Sequence, residues 1–249
     1  MSGPRPTGNP TERSSRRSLR DWRLARTSKR KYDSLTLSVA LVALGVGVVA
    51  SEIVARAVGS TTAALATITL WGLLLAAIVF ALSRSVPRGL YAFRLTDILW
   101  GVGVAVLLRF SAGELGAANS STFPVWRGWT GDPWAIFRSD VFLAASLAPI
   151  VEELFFRGVI LIAVFQIFRP NFGTISASLT ALILSTAGFV LAHGIFSPLS
   201  LTDGMQLAAV GALFSLIVLL TGRIWGAVLG HVMYNLSFLA LMLIGSIFA

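Results

Sequence analysis

Three charged residues lie close together in an otherwise apolar part of the chain: Glu152, Glu153 and Arg157. Glu153 and Arg157 are four residues apart, so in a helix they share one face and can form an ion pair. Glu152 is rotated by about 100° from Glu153 around such a helix and is free for another role. Pro149 predicts either a helix start or a kink near the two carboxylates. A glutamate in this setting is a candidate general base for the activation of water.

The chain contains only two histidines, and both fall in apolar segments. His193 ends one apolar run, and His231 lies near the start of the last one, with Asn235 one helical turn later on the same face. An imidazole at His193 can orient water or accept a proton. His231 and Asn235 can donate hydrogen bonds to the oxyanion of a tetrahedral intermediate. Gathered in one pocket with the charged residues, these groups predict hydrolysis of an amide.

The same glutamates and histidines are also ligands that a divalent metal such as zinc accepts. A bound metal would lower the pKa of its water and so replace the general base. The residue types are compatible with both mechanisms. The absence of cysteine excludes disulfides, thiolate metal sites and a cysteine nucleophile.

The elements that position these residues are predicted to be membrane-spanning helices. Of the 249 residues, 55% are hydrophobic and only 12% are charged, whereas a soluble domain carries about 25% charged residues. Runs of about 20 apolar residues match the thickness of the bilayer core. We therefore expect an all-α, multi-pass bundle in the cell membrane. The seven predicted spans cover residues 35–55, 63–83, 96–113, 139–168, 173–196, 204–221 and 224–248.

The basic residues predict how the bundle is oriented. Residues 1–32 hold ten of the 20 Lys and Arg residues, and the connections 84–95, 169–172 and 222–223 fall on the same side if the spans alternate. The positive-inside rule places this side, and hence the N-terminus, in the cytoplasm. The basic tail is expected to touch anionic lipid, and no nucleic-acid partner is expected.

The predicted organisation is a disordered basic tail, residues 1–32, followed by a transmembrane domain, residues 33–249, whose protease-like core covers about 139–248. The longest connection, residues 114–138, is rich in Trp, Gly and Pro. Its aromatic residues are typical of a belt at the membrane interface, and a lid over a substrate site is the alternative.

The order of these motifs resembles the CPBP family, which comprises type II CAAX prenyl endopeptidases and bacterial relatives linked to bacteriocin processing or self-immunity. The resemblance covers about residues 140–240. It is carried by Glu152-Glu153-x-x-x-Arg157, Phe189-x-x-x-His193, His231-x-x-x-Asn235 and the segment Thr221-Gly222-Arg223-Ile224-Trp225. The other intramembrane protease classes fit poorly, because the chain has no His-Glu-x-x-His, Gly-x-Ser-Gly or Gly-x-Gly-Asp motif.

The resemblance implies a role for each matching residue. Glu152 would activate water, and Glu153 with Arg157 would support it. His193 would hold the water or a metal. His231 and Asn235 would form the oxyanion site.

These observations predict an intramembrane endopeptidase that acts on a peptide or protein substrate. Two alternatives stay open. One is a non-catalytic membrane adaptor or immunity protein of the same fold. The other is a small ion-coupled transporter that uses the charged residues for coupling, although the chain shows no internal repeat.

If His193 and His231 belong to one site, they must lie at similar heights in the membrane. The fifth and seventh spans run in the same direction, yet His193 lies late in its span and His231 early. At 1.5 Å per residue the two histidines differ in height by roughly 10 Å, which tilt or a kink must absorb.

Overall fold

The computed structural model describes residues 21–23, 31–58, 63–120, 122–196 and 198–248. Most of the predicted tail, residues 1–32, lies outside the described residues. The described residues form helices and no strands, which confirms the all-α prediction. The helices are α1 (Ser34–Val58), α2 (Ala63–Arg84), α3 (Leu95–Leu115), α4 (Asp140–Phe155), α5 (Ile162–Phe196), α6 (Leu201–Thr221) and α7 (Trp225–Phe248). A π-helical segment, Phe156–Leu161, joins α4 to α5, and short 3-10 turns, Ala118–Ser120 and Pro133–Arg138, lie between α3 and α4.

Within the described ranges, six helical stretches are long and apolar enough to cross a membrane. Five of them correspond to single predicted spans. The sixth, Pro133–Ile195, is 63 residues long and contains both the fourth and the fifth predicted span. The helices also turn large apolar side chains outward, as Leu41, Ile53 and Phe110 show. Such faces suit lipid, and the protein is a multi-pass membrane protein.

The long helical stretch reverses direction at Gly173. Its φ of 76° and ψ of 175° lie in a region that essentially only glycine adopts. The Ser185 hydroxyl donates to the Phe156 carbonyl at 2.9 Å, although 29 residues of continuous helix would separate them by about 44 Å. The predicted stop at residues 169–172 is therefore slightly early. The helix continues through Pro170 and breaks where glycine permits the turn.

The connections at one end of the bundle pack against each other. The Ile224 amide donates to the Leu90 carbonyl at 3.0 Å. The Arg223 guanidinium pairs with the buried Asp97 carboxylate at 2.7 Å. Trp22 is buried at the same end, and its indole N–H donates to the Gly222 carbonyl. Two of the three connections that the charge pattern assigns to one side, 84–95 and 222–223, thus meet each other and the described part of the tail, and the positive-inside rule predicts that this end faces the cytoplasm.

The centre of the bundle is the stretch that runs from the end of α4 through the π segment into α5. Residues 155–165 are buried on every side, including Arg157 and Gly158. A helix that is buried all round forms the core of a larger bundle. The catalytic-type residues of α4 therefore lie at the edge of the most enclosed part of the molecule.

Helices α3 and α7 approach closely through small residues. A Cβ atom added at Gly101 would lie 2.8 Å from Leu229 Cβ and 3.1 Å from the Gly230 amide nitrogen. On α7, Gly226 and Gly230 face α3 in a Gly-x-x-x-Gly pattern, which is typical of tight packing between membrane helices. This contact fixes the position of α7, which carries His231.

We expect the substitution Gly101→Ala to lower the free energy of unfolding by about 1–3 kcal/mol, because the added methyl group overpacks the α3–α7 contact. Gly103 lies on the same helix, and a Cβ there would meet nothing within 4 Å. Gly103→Ala is therefore the matched control. Because alanine has a higher helix propensity than glycine, this substitution should leave the free energy of unfolding unchanged or raise it by up to about 1 kcal/mol. Thermal unfolding in detergent, followed by tryptophan fluorescence, measures both. Equal effects of the two substitutions would contradict the packing argument.

Candidate active site

Glu153 and Arg157 form an ion pair in the interior of the bundle. Arg157 Nη1 lies 2.9 Å from Glu153 Oε1, and both side chains are fully buried. The pair spans the junction between α4 and the π segment, as the four-residue spacing predicts. Two charges buried together are tolerable only while they remain paired and hydrogen-bonded.

The surroundings of Arg157 connect three helices. Arg157 Nη2 donates to the Gly211 carbonyl of α6 at 3.2 Å. The guanidinium carbon lies 4.6 Å from the centre of the Phe189 ring of α5 and 5.9 Å from that of Phe214 of α6. These cation–π contacts are strongest where water is excluded. Arg157 therefore holds Glu153 in one fixed orientation.

His231 lies between the two carboxylates. Its Nδ1 is 2.9 Å from Glu153 Oε1, and its Nε2 is 3.9 Å from Glu152 Oε2. A carboxylate only accepts hydrogen bonds, so Nδ1 carries the hydrogen, a tautomer assigned from the geometry. In the neutral imidazole, Nε2 is then a proton acceptor that faces Glu152.

Glu152 is the available carboxylate of the cluster. Its side chain is 17% exposed, whereas that of Glu153 is fully buried. Among the described residues, its one recorded polar contact is His231 Nε2, at a distance too long for a hydrogen bond. Glu152 can therefore accept a hydrogen bond from water or substrate without breaking an existing pair.

His193 and His231 contact the same aromatic ring. The His193 ring centre lies 4.4 Å from that of Phe189, and the His231 ring centre lies 5.9 Å from it. Phe189 thus contacts both histidines and links His193 to the cluster through one aromatic ring. His193 Nδ1 lies 2.9 Å from the Phe189 carbonyl oxygen. It must therefore donate, which leaves Nε2 of neutral His193 as an acceptor.

A cavity of about 760 Å³ lies on the side of this cluster away from the 84–95 connection. Asn235, one turn beyond His231, lines it, together with residues of α3, α4 and α6. Thr122, Phe123 and Pro124 of the long connection form part of the wall. The volume falls in the range of about 300–1,000 Å³ that is typical of ligand sites. Of the six predicted site residues, Asn235 is the one that lines this cavity, so the cavity approaches the cluster along α7.

The backbone around the cluster departs from regular helix geometry. Pro149 lies inside α4, which begins at Asp140, so it does not mark the helix start. Proline has no amide hydrogen, and the Ala145 carbonyl one turn earlier therefore lacks its helical donor. Ala145 lines the cavity. The π segment that follows Phe155 is another irregularity that is common at functional sites.

The observed arrangement does not fit a metal site. In the part of the chain that the structure describes, no group of three or more His, Cys, Asp or Glu side chains is arranged to hold a metal ion. His231 stands between the carboxylates of Glu152 and Glu153 and directs Nδ1 to the latter. The reaction proposed below therefore uses the side chains of the cluster and contains no metal-dependent step.

Several polar residues of the cavity wall belong to none of the motifs that predict the site. Gln206 donates to the Leu108 carbonyl at 3.0 Å and to the Tyr234 hydroxyl at 3.2 Å. Arg109 of α3 lines the same cavity. An arginine within a predicted span was a detectable signal, because charges in the membrane usually face a cavity or a partner. Gln206 and Tyr234 gave no such signal, since their relation to Arg109 depends on how the helices pack.

The part of the chain that contains this site matches the model of a known protein family. Residues 134–237 match the family model described as type II CAAX prenyl endopeptidase Rce1-like. The matched segment covers less than half of the 249 residues and contains all six predicted site residues. This match confirms the resemblance that the motifs indicate. No curated protein and no solved structure matches the chain.

Proposed function

We propose that this protein is an intramembrane endopeptidase of the glutamate type, in which Glu152 activates a water molecule. The observation that carries the proposal is the arrangement of the two glutamates. Glu153 is locked between Arg157 and His231, while Glu152 stays available 3.9 Å from His231, and Asn235, one turn beyond His231, lines the cavity. The match of residues 134–237 to a CAAX endopeptidase model supports the same reaction class.

In the proposed reaction, the substrate peptide enters the cavity and presents one carbonyl group to the cluster. A water molecule donates one hydrogen to Glu152 and can donate the other to His193 Nε2. As the water oxygen attacks the carbonyl carbon, its proton moves to the Glu152 carboxylate. Positioned general bases of this kind contribute about 10²–10⁴ to the rate.

The negative charge that develops on the carbonyl oxygen requires donors. Asn235 supplies an amide N–H group on the face of α7 that borders the cavity. His231 can donate from Nε2 only as an imidazolium, because its Nδ1 hydrogen is held by Glu153. We therefore assign the main oxyanion contact to Asn235.

The tetrahedral intermediate collapses when the carbon–nitrogen bond breaks. The proton held by Glu152 moves to the departing nitrogen, which leaves as a neutral amine, and the acyl part leaves as a carboxylic acid that ionises. His231 Nε2 can hold this proton between the two steps after an approach of about 1 Å to Glu152. Glu153 and Arg157 act as positioning residues, because they orient His231 and do not touch the reacting atoms.

The proposal is tested by offering a diverse peptide library to the purified protein in lipid nanodiscs. New amino and carboxyl termini are identified by mass spectrometry. We expect the wild-type protein to cleave members of the library and Asn235→Ala to lower kcat by about 10²–10³, because one oxyanion donor is lost.

The control substitution is Asn171→Ala, because Asn171 is exposed, lies two residues before the Gly173 turn and is not part of the cavity wall. It should leave kcat unchanged. Equal rates for the Asn235 variant and the wild type would reject the assigned oxyanion contact. Absence of cleavage by the wild type across soluble, apolar and lipidated peptides would count against the endopeptidase.

A further inference from the structure

The cavity beside the cluster contains a cation that the proposed reaction does not use. Arg109 lies in the second half of the third membrane span, six residues before its end at Leu115, and lines the cavity together with Asn235. Charged residues within membrane helices are costly to insert, so they usually face a cavity or a partner. Arg109 therefore needs an explanation beyond the packing of helices.

The contacts of Arg109 leave its positive charge without a paired anion. Its Nε donates to the Ser237 hydroxyl at 2.9 Å, and its Nη2 donates to the Tyr234 carbonyl at 2.5 Å. The guanidinium carbon lies 4.3 Å from the centre of the Tyr234 ring. Within the described residues, no carboxylate forms an ion pair with Arg109. The guanidinium is thus oriented by neutral groups.

The acidic residue that shares the cavity has another role. Asp203 caps the start of α6, where its carboxylate accepts a hydrogen bond from the Ser200 hydroxyl at 2.6 Å. The rest of the wall is mostly apolar or contributes neutral groups such as Gln206 and Tyr234. A ligand that is apolar along its length and anionic at one point complements this cavity.

We propose that Arg109 binds a carboxylate of the peptide substrate and thereby determines which peptides are cleaved. This inference rests on the proposed function and adds a specificity-determining residue to it. The described contacts of Arg109 use Nε and one Nη2 hydrogen, so Nη1 and the second Nη2 hydrogen can bind the two oxygens of a carboxylate. The carboxylate is either the C-terminus of the peptide or an Asp or Glu side chain.

The test measures binding and does not depend on hydrolysis. The protein carries Glu152→Gln in lipid nanodiscs, so that bound peptide stays intact. The probes are fluorescent apolar hexapeptides that differ in one group. One ends in a free carboxylate, one ends in a carboxamide, and two amidated versions carry Asp or Asn at the third position from the end. Nanodiscs without protein correct for partitioning into lipid.

We expect at least one carboxylate probe to bind about tenfold or more tightly than its neutral partner when Arg109 is present. The difference should disappear in Arg109→Gln and persist in reduced form in Arg109→Lys, which keeps the charge and loses the planar fork. A preference for the free C-terminus or for the Asp probe identifies the source of the carboxylate.

Two results would overturn the inference. One is equal binding of charged and neutral probes to the protein that retains Arg109. The other is a preference that survives in Arg109→Gln. A purely structural role for Arg109 would weaken all probes equally in that variant and is thereby distinguished. If the wild-type protein cleaves no peptide and the endopeptidase proposal is rejected, the binding result still stands, because the binding assay contains no cleavage step.

Discussion

The substitution Glu152→Gln is expected to reduce peptide hydrolysis about a thousandfold or more while the fold is retained. Glutamine has the same shape but cannot accept the proton of the attacking water, and general-base catalysis contributes about 10²–10⁴. The loss should be larger than for Asn235, since Glu152 also returns the proton to the leaving amine. The measurement is kcat for a library-derived peptide in nanodiscs, with thermal unfolding recorded for the same preparation.

The matched control for this substitution is Glu114→Gln. Glu114 lies at the exposed end of α3, and within the described residues no contact joins it to the cluster. It should leave kcat unchanged, so that a general effect of removing one acidic residue is excluded. Equal cleavage by the wild type and the Glu152 variant would reject Glu152 as the base. Partner binding that survives in this variant, without any cleavage by the wild type, would favour the adaptor. Uptake that depends on an ion gradient would favour the transporter.

The architecture of this protein was largely predictable from the sequence, because the bilayer imposes a length on each span and charge sets the arrangement of the connections. The boundaries were less predictable. Pro170 is an obvious helix stop in a soluble protein, yet the helix continues to Gly173. The backbone angles at Gly173, which depend on the packing of residues 174–196 against the π segment, decide the turn. The π segment itself leaves no signature in hydropathy.

The composition of the site was predictable, and its internal arrangement was not. The chemistry of isolated charged residues in apolar helices pointed to Glu152, Glu153 and Arg157, and the scarcity of histidine pointed to the other two helices. Which glutamate is locked and which is available depends on where α7 brings His231. That position is set by the close approach of α3 and α7, whose small residues are not part of the predicted site motifs. The role of Arg109 was likewise not predictable from the sequence, since the cavity that it lines forms only when the helices pack.

The substitution Arg157→Met is expected to destabilise the protein by about 3–5 kcal/mol. It leaves the Glu153 carboxylate buried without its cation, and an unpaired buried charge is among the most costly defects in a protein. The control is supplied by the chain itself. Glu52 and Arg56 have the same spacing and a distance of 2.8 Å, but both are exposed. Arg56→Met should cost at most about 0.5 kcal/mol, because exposed pairs of this type contribute little. Thermal unfolding in detergent compares the two variants directly.

A double substitution, Glu153→Leu with Arg157→Met, separates stability from catalysis. Replacing both members of a buried ion pair by apolar residues of similar volume is often neutral, so most of the lost stability should return. Activity should not return, because His231 has lost the carboxylate that fixes its Nδ1 hydrogen and its ring. A stable double variant with wild-type kcat would show that the pair serves only the fold. A stable double variant without activity would show that an apolar core holds the helices together as well as the buried pair does. It would also show that the pair serves catalysis, because it orients His231 toward Glu152.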